Sequence, residues 1–244
     1  MNNNNHCVTV IANREYLSFF RSFYDQLRNI GQYKGDINLI TDNSIYLSSF
    51  NKKNYKNVNI FKFKKIKFSK KTSKNLNSIE NGRNLTKPFQ WYKFYLFDEQ
   101  FKNWDFNLYM DINMKINGNV ADVLNLKQEK KLIAPYDAYP DLDWALDSQF
   151  NGEEEILNKL KKKYDLSLKK YFQTGILYYD TSIIESDTIQ NLINIVEEYP
   201  VSKNNEQGIM NLYFIFEKDL FFPLSKEVYS YWSEKNKKAI ITKK

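Results

Sequence analysis

The sequence holds one cysteine, Cys7, and one histidine, His6. A lone thiol excludes an intrachain disulfide and any zinc cage built on cysteine. Cys7 lies in the apolar stretch Cys-Val-Thr-Val-Ile, the setting of an inert buried thiol. Only seven glycines and five prolines occur, too few for a repeat-rich or linker-rich architecture. No run of about 18 apolar residues appears, so no membrane-spanning helix is expected. The opening Met-Asn-Asn-Asn-Asn-His lacks the apolar region of a secretory signal. Residues 1–6, His6 included, read as a flexible tail, and the expectation is a soluble, cytoplasmic protein.

What the chain does contain is apolar and aromatic. Hydrophobic residues make up 42% and aromatics 16% of 244 residues, which is enough to bury a sizeable core in one domain over 1–244. The formal charge of +7 concentrates anions near the surface, whether nucleotide, nucleic acid or acidic lipid, without choosing among them. The lysine-rich stretch 62–74 reads as a strand end running into a solvated, mobile loop. Contact with polyanions, helped by Phe63 and Phe68, is the competing reading. The stretch lacks glycine spacing or an arginine-rich face and the chain has no aromatic RNP sequence, so no specific nucleic acid is expected.

Apolar runs at 8–12, 36–41 and 58–63 read as strands, with helical spacing from Tyr16 to Ile30 between the first two. Further strands are expected at 106–110, 132–135 and 172–179. Helices are expected at 86–97, 153–164, 189–199 and 206–216. Strands that are mostly apolar, separated by helices, point to an α/β fold with a parallel sheet covered by helices.

The strand at 106–110 ends abruptly in Asp111-Ile112-Asn113. Open α/β sheets bind ligands beyond the carboxyl ends of their strands. Asp111 and Asn113, as alternate residues, point to one side of an extended chain and can converge on one ion. Oxygen donors of this kind suit Mn²⁺ or Mg²⁺ bridging to a diphosphate. A capping Asp and Asn in a turn is the competing explanation.

Several segments in order resemble glycosyltransferase family 8, the family of glycogenin. They are Val8–Tyr16, Thr86-Lys87 with Trp91, Leu108–Asn113, Ala134-Pro135-Tyr136-Asp137, Phe172-Gln173-Thr174-Gly175-Ile176-Leu177, and Asn205-Glu206-Gln207-Gly208-Ile209-Met210-Asn211. The resemblance covers about residues 7–242 and implies a GT-A (Rossmann-like) fold, an α/β fold with a mixed, mostly parallel sheet flanked by helices. It implies a retaining transfer of a hexose from a UDP-sugar to a protein, glycan or lipid acceptor, with a homodimer possible. Val10, Ala12, Asn13 and Tyr16 would surround uracil and ribose. Lys87, or Lys93 one turn on, would meet the diphosphate or the sugar. Asp111 would bind the metal with Asn113 assisting and Ile112 between them at the donor. Glu206 and Gln207 would flank the anomeric carbon, Glu206 touching a sugar hydroxyl and Gln207 stabilising oxocarbenium charge. Gln173 would contact the donor sugar.

The chain departs from that family at three points. Asn113 stands where the metal motif has its second aspartate, and Thr242 stands where the family has a histidine ligand. The family's later Gly-x-x-Lys-Pro-Trp diphosphate loop is absent, and Lys243 and Lys244 are candidates to replace metal charge with ammonium charge. A catalytically inactive sugar-nucleotide-binding scaffold is the first alternative, and a basic nucleic-acid-binding protein the second.

Overall fold

The first apolar run forms strand β1 (His6–Ile11), which pairs in parallel with β2 (Asp36–Thr41) on one side and β4 (Phe106–Met110) on the other. β3 (Val58–Lys62) extends the sheet outward from β2, also in parallel. A computed structural model describes residues 5–42, 54–79, 87–230 and 238–243, with only the backbone of residue 87. Between β1 and β2, a tight turn at Tyr16–Phe19 runs into α1 (Phe20–Asn29), which buries Phe20, Phe23 and Leu27 at the spacing of one helix face.

Helices α2 (Lys70–Ser78) and α3 (Lys87–Gln90) follow, and α3 tightens into a 3-10 stretch at Trp91–Phe97. Beyond β4 come β5 (Met114–Ile116), α4 (Ala121–Leu124), β6 (Leu132–Ala134), α5 (Glu154–Lys163) and β7 (Ile176–Asp180). α6 (Thr188–Glu198) and α7 (Glu206–Asn211) come next, and a π-helical stretch at Leu212–Glu217 continues α7. Short strands β8 (Phe221–Pro223), β9 (Tyr229–Ser230) and β10 (Ile241–Lys243) close the order.

The seven-stranded sheet runs β3-β2-β1-β4-β7-β6-β8, and only β7 is antiparallel to its neighbours. The mixed, mostly parallel sheet flanked by helices that was expected from the sequence is therefore present. Alternate residues of the central strands feed opposite faces: Val8, Leu108 and Met110 join one buried cluster, Cys7 and Tyr109 the other. Both faces are covered, which is why these strands read as continuous apolar runs.

Four expectations need correction. His6 is no tail: it opens β1, its ring stacks on Phe106 with 5.4 Å between centroids, and Nδ1 lies 3.1 Å from the Tyr178 hydroxyl. Lys70–Lys74 belong to α2 rather than a loop, because Ser69 caps the helix by accepting from Thr72 N, and Thr72 and Leu76 are buried. The strand anticipated at 172–179 begins only at Ile176, since Phe172 is held by Asn211 and Gly175 turns beside Asp111. The helix anticipated over 206–216 changes to π geometry at Leu212.

Candidate active site

Strand β7 enters the sheet beside the carboxyl end of β4, and its antiparallel run brings residues 173–175 against Asp111. The Asp111 N–H donates to the Gly175 carbonyl at 2.7 Å. A side chain at Gly175 would have to displace its neighbours: a Cβ there would lie 2.7 Å from Gln173 Oε1 and 2.8 Å from Met114 Cε. The small sheet β5-β10-β9 closes this end from the other side, pairing Lys243 with Met114.

Into the gap reaches Lys93 from the 3-10 stretch after α3. Its ammonium lies 2.9 Å from Glu206 Oε1 and 3.2 Å from Asp111 Oδ1, and it donates to the Thr174 carbonyl at 3.0 Å. Lys93 and Glu206 are buried, whereas Asp111 keeps about a quarter of its side chain exposed (27%) and faces the cleft. Burial opposes the ammonium charge, but the Asp111 and Glu206 carboxylates outweigh it and raise the Lys93 pKa. Tyr109 donates to Asp111 Oδ1 at 2.6 Å, and burial with the nearby Asp111 charge holds its phenol well above the usual range.

Glu206 and Gln207 occupy the first turn of α7, entered through Asn205 at φ 53° and ψ −118°, a positive-φ conformation outside the left-handed helical well and sparsely populated by residues with a side chain. Gln207 Oε1 accepts from Thr174 N at 3.3 Å and Nε2 donates to Gln149 Oε1 at 3.0 Å, which fixes the amide's orientation. Gln149 in turn donates to Asp137 Oδ2 at 3.2 Å, and Tyr171 donates to the same oxygen at 3.0 Å. Among the described residues three buried polar atoms here have no hydrogen-bond partner: Gln173 Nε2, a donor, and Asn205 Oδ1 and Glu206 Oε2, acceptors.

These residues line a cleft of about 1090 Å³. Of the candidates read from the sequence, Tyr16, Lys93, Asp111, Ile112, Asn113, Gln173, Glu206 and Gln207 all reach it. Val10 and Ala12 do not: both are fully buried in the core, and Ile11 between them reaches the cleft instead. Asn13 does not line the cleft. It accepts the Tyr16 N–H at 3.1 Å and so shapes the turn that presents Tyr16. The Lys87 side chain, Thr86 and Lys244 lie outside the described residues. Thr242 is buried and accepts from Asn117 Nδ2 at 3.1 Å, so it turns away from any ion.

Gln149, Tyr171 and Tyr109 were not anticipated. Tyr109 was findable, because it precedes Asp111 by two and shares its side of the strand. Gln149 and Tyr171 sit in segments with no motif and meet only through the fold.

The fold has solved counterparts. The galactosyltransferase LgtC, in complex with donor and acceptor sugar analogues, superposes with TM-score 0.66 at 10% identity over 97% of this chain and 86% of that one. GT-A is the fold of this chain. The bifunctional glycosyltransferase WbbM matches with TM-score 0.65 at 14% identity, over 99% of this chain and 46% of its own. The glycosyltransferase GlyE of Streptococcus pneumoniae TIGR4 matches with TM-score 0.61 at 16% identity, over 99% of this chain and 54% of its own. The chain thus spans about half the length of WbbM and GlyE. No protein-family model matches the sequence, and no curated protein sequence matches it.

Proposed function

We propose that this GT-A domain transfers a hexose from a UDP-sugar to an acceptor hydroxyl with retention of configuration. The observation that carries this reading is the convergence of Asp111, Asn113, Gln173, Glu206 and Gln207 on one cleft at the carboxyl end of β4, in a chain with the GT-A fold.

The uridine would lie at the end walled by Ile11, Tyr16 and Ile112. The diphosphate would lie near Asp111, Asn113 and Lys243, which line the cleft together. A divalent ion fits this donor set as a water-rich site: Asp111 Oδ2 and the Asn113 amide offer oxygens, and Gly175 leaves Oδ2 uncovered. Among the described residues no three His, Cys, Asp or Glu side chains converge, so water and diphosphate would complete such a site. When bound, the ion supplies positive charge to the diphosphate.

In the transfer the bond from the anomeric carbon to the diphosphate oxygen breaks, and that oxygen keeps the electron pair. The acceptor hydroxyl oxygen bonds to the anomeric carbon, and its proton passes to the departing diphosphate oxygen. Gln173 and Glu206, which line the cleft, would face the donor sugar and orient its ring. Gln207, held by Thr174 and Gln149, sets its carbonyl against the developing positive charge.

Thr242 in place of a ligating histidine favours a second reading, a sugar-nucleotide-binding scaffold without turnover. Release of UDP from UDP-glucose and UDP-galactose, with and without Mn²⁺, separates the two. Transfer or slow donor hydrolysis that falls in Asp111→Ala, and falls more in kcat than in KM in Gln207→Ala, supports the enzyme. UDP binding without any release supports the scaffold, and unchanged rates in both variants remove the site assignment.

A further inference from the structure

The cleft extends well past the cluster that would hold the donor. Its far wall is the segment 136–149, which contributes Tyr136, Asp137, Tyr139, Leu142, Trp144 and Gln149. Large apolar side chains are rarely left open to water in a group without a partner. Yet Tyr139, Leu142 and Trp144 all stand exposed here, and Trp144 at 55% is the most exposed large apolar side chain among the described residues. Among the described residues the Trp144 indole has no hydrogen bond and no ring partner.

We propose that this far lobe is the acceptor subsite and that the acceptor is a carbohydrate, its pyranose ring lying on Trp144. The inference rests on the hexosyl-transfer reading above and names the class of acceptor that the reading leaves open. Three observations select a sugar. First, the exposed aromatics do not form a continuous apolar groove: ion pairs Asp141–Lys226 at 3.0 Å and Asp143–Lys169 at 2.5 Å stand among them. A lipid tail would cross these charges, whereas a pyranose has an apolar C–H face for one ring and hydroxyls for the surrounding polar groups. Second, Tyr139 is held by its neighbours, edge-on to Tyr136 at 5.6 Å and with the Lys170 ammonium 5.4 Å from its ring centroid. A fixed aromatic wall beside an open indole recognises a rigid ring better than a flexible peptide.

Third, a chain of side chains ties this lobe to the reaction centre. Gln207 donates to Gln149, Gln149 donates to Asp137, and Asp137 also accepts from Tyr171. Asp137 lines the cleft between Gln149 and the aromatic wall, where its carboxylate accepts from an acceptor hydroxyl. The same amide, Gln207, thereby touches both halves of the site, so a sugar seated on Trp144 offers its hydroxyl toward the anomeric carbon. The negative face of the indole attracts the polarised C–H bonds of the pyranose.

Fluorine NMR of the full chain labelled with fluorotryptophan tests this directly. The sequence has four tryptophans, and Trp144→Phe assigns the Trp144 signal. With UDP present, the protein is titrated with methyl glucoside, methyl galactoside, lactose and cellobiose, and separately with octanol and a tyrosine-containing peptide. The expected result is a saturable shift of the Trp144 signal with at least one saccharide and with neither comparator. In acceptor kinetics with that saccharide, Trp144→Ala raises KM about tenfold, the worth of one aromatic contact, and Trp144→Phe restores most of it. No shift with any saccharide, or a shift with octanol or the peptide alone, overturns the proposal. Calorimetry of UDP on the same sample separates the failures: absent UDP binding removes the transferase reading, and UDP binding with a silent Trp144 removes only the acceptor subsite.

Discussion

The Lys93 ammonium sits 2.9 Å from Glu206 Oε1 in a setting where both side chains are buried. With Asp111 the cluster sets two carboxylates against one ammonium, a formal charge of −1. Lys93 is fully occupied by protein partners, which makes it the positioning residue for Glu206 and Asp111 before it is anything else. Its removal would leave a buried carboxylate beside only the Thr174 hydroxyl, which donates to Glu206 Oε1 at 2.7 Å. Lys93→Met is expected to cost about 3–5 kcal/mol in urea denaturation, the scale for stripping one partner from a buried pair. A change under 1 kcal/mol, on the order of an exposed pair, would contradict the burial and pairing described.

Alkaline pH attacks the same region. The pKa values of Lys93, Tyr109 and Tyr179 are all raised, Lys93 by the two carboxylates against burial and the tyrosines first by burial. A raised folded-state pKa means stability that is complete below the unfolded value and lost as pH climbs through the folded one. With unfolded values of about 10 for tyrosine and 10.4 for lysine, stability should fall above about pH 10. Phenolate absorbance of the buried tyrosines should rise together with loss of the helical circular dichroism. Full ionisation of every tyrosine with the fold intact would contradict this.

Asn211 ties α7 to the segment that carries Gln173. It donates to the Phe172 carbonyl at 2.7 Å and to the Gln207 carbonyl at 2.9 Å, and accepts from Phe172 N at 2.8 Å. Asn211→Ala leaves buried backbone groups unpaired, with an expected loss of about 2–3 kcal/mol. Turnover should fall as well, because Gln173 and Thr174 lose their anchor. Thermal denaturation and UDP release measured on one preparation check both halves.

Gly175→Ala probes the crowding at the strand junction. The new methyl would meet Gln173 Oε1 at 2.7 Å and Met114 Cε at 2.8 Å, both movable side-chain ends. Stability should therefore drop by only about 1–2 kcal/mol. Displacement of Gln173 should weaken donor-sugar binding several-fold while leaving UDP affinity close to wild type. Isothermal titration with UDP and with UDP-glucose distinguishes the two effects.

Much of this was legible in the sequence. β2 and β4 were bounded to the residue, because a strand covered on both faces is mostly apolar, the polar residues Asn38, Thr41 and Asn107 within them being buried with the rest. The placement of Asp111 at a strand's carboxyl end followed from the same pattern. α2 escaped because lysines dominate its composition, although Thr72 and Leu76 at i and i+4 already marked its buried face. His6 escaped because a single polar residue at a strand's first position carries no local signal. Asp137 stood in a segment singled out in the sequence, but its partners Gln149 and Tyr171 escaped, because they come from other segments and only the fold brings the three together.

The most direct test of the account is a crystal structure of the protein soaked with UDP and Mn²⁺. The account predicts density for the nucleotide along the wall of Ile11, Tyr16 and Ile112, with its diphosphate beside Asp111 and Asn113. Density seated elsewhere on the molecule, or an unoccupied cleft at saturating UDP, would contradict it.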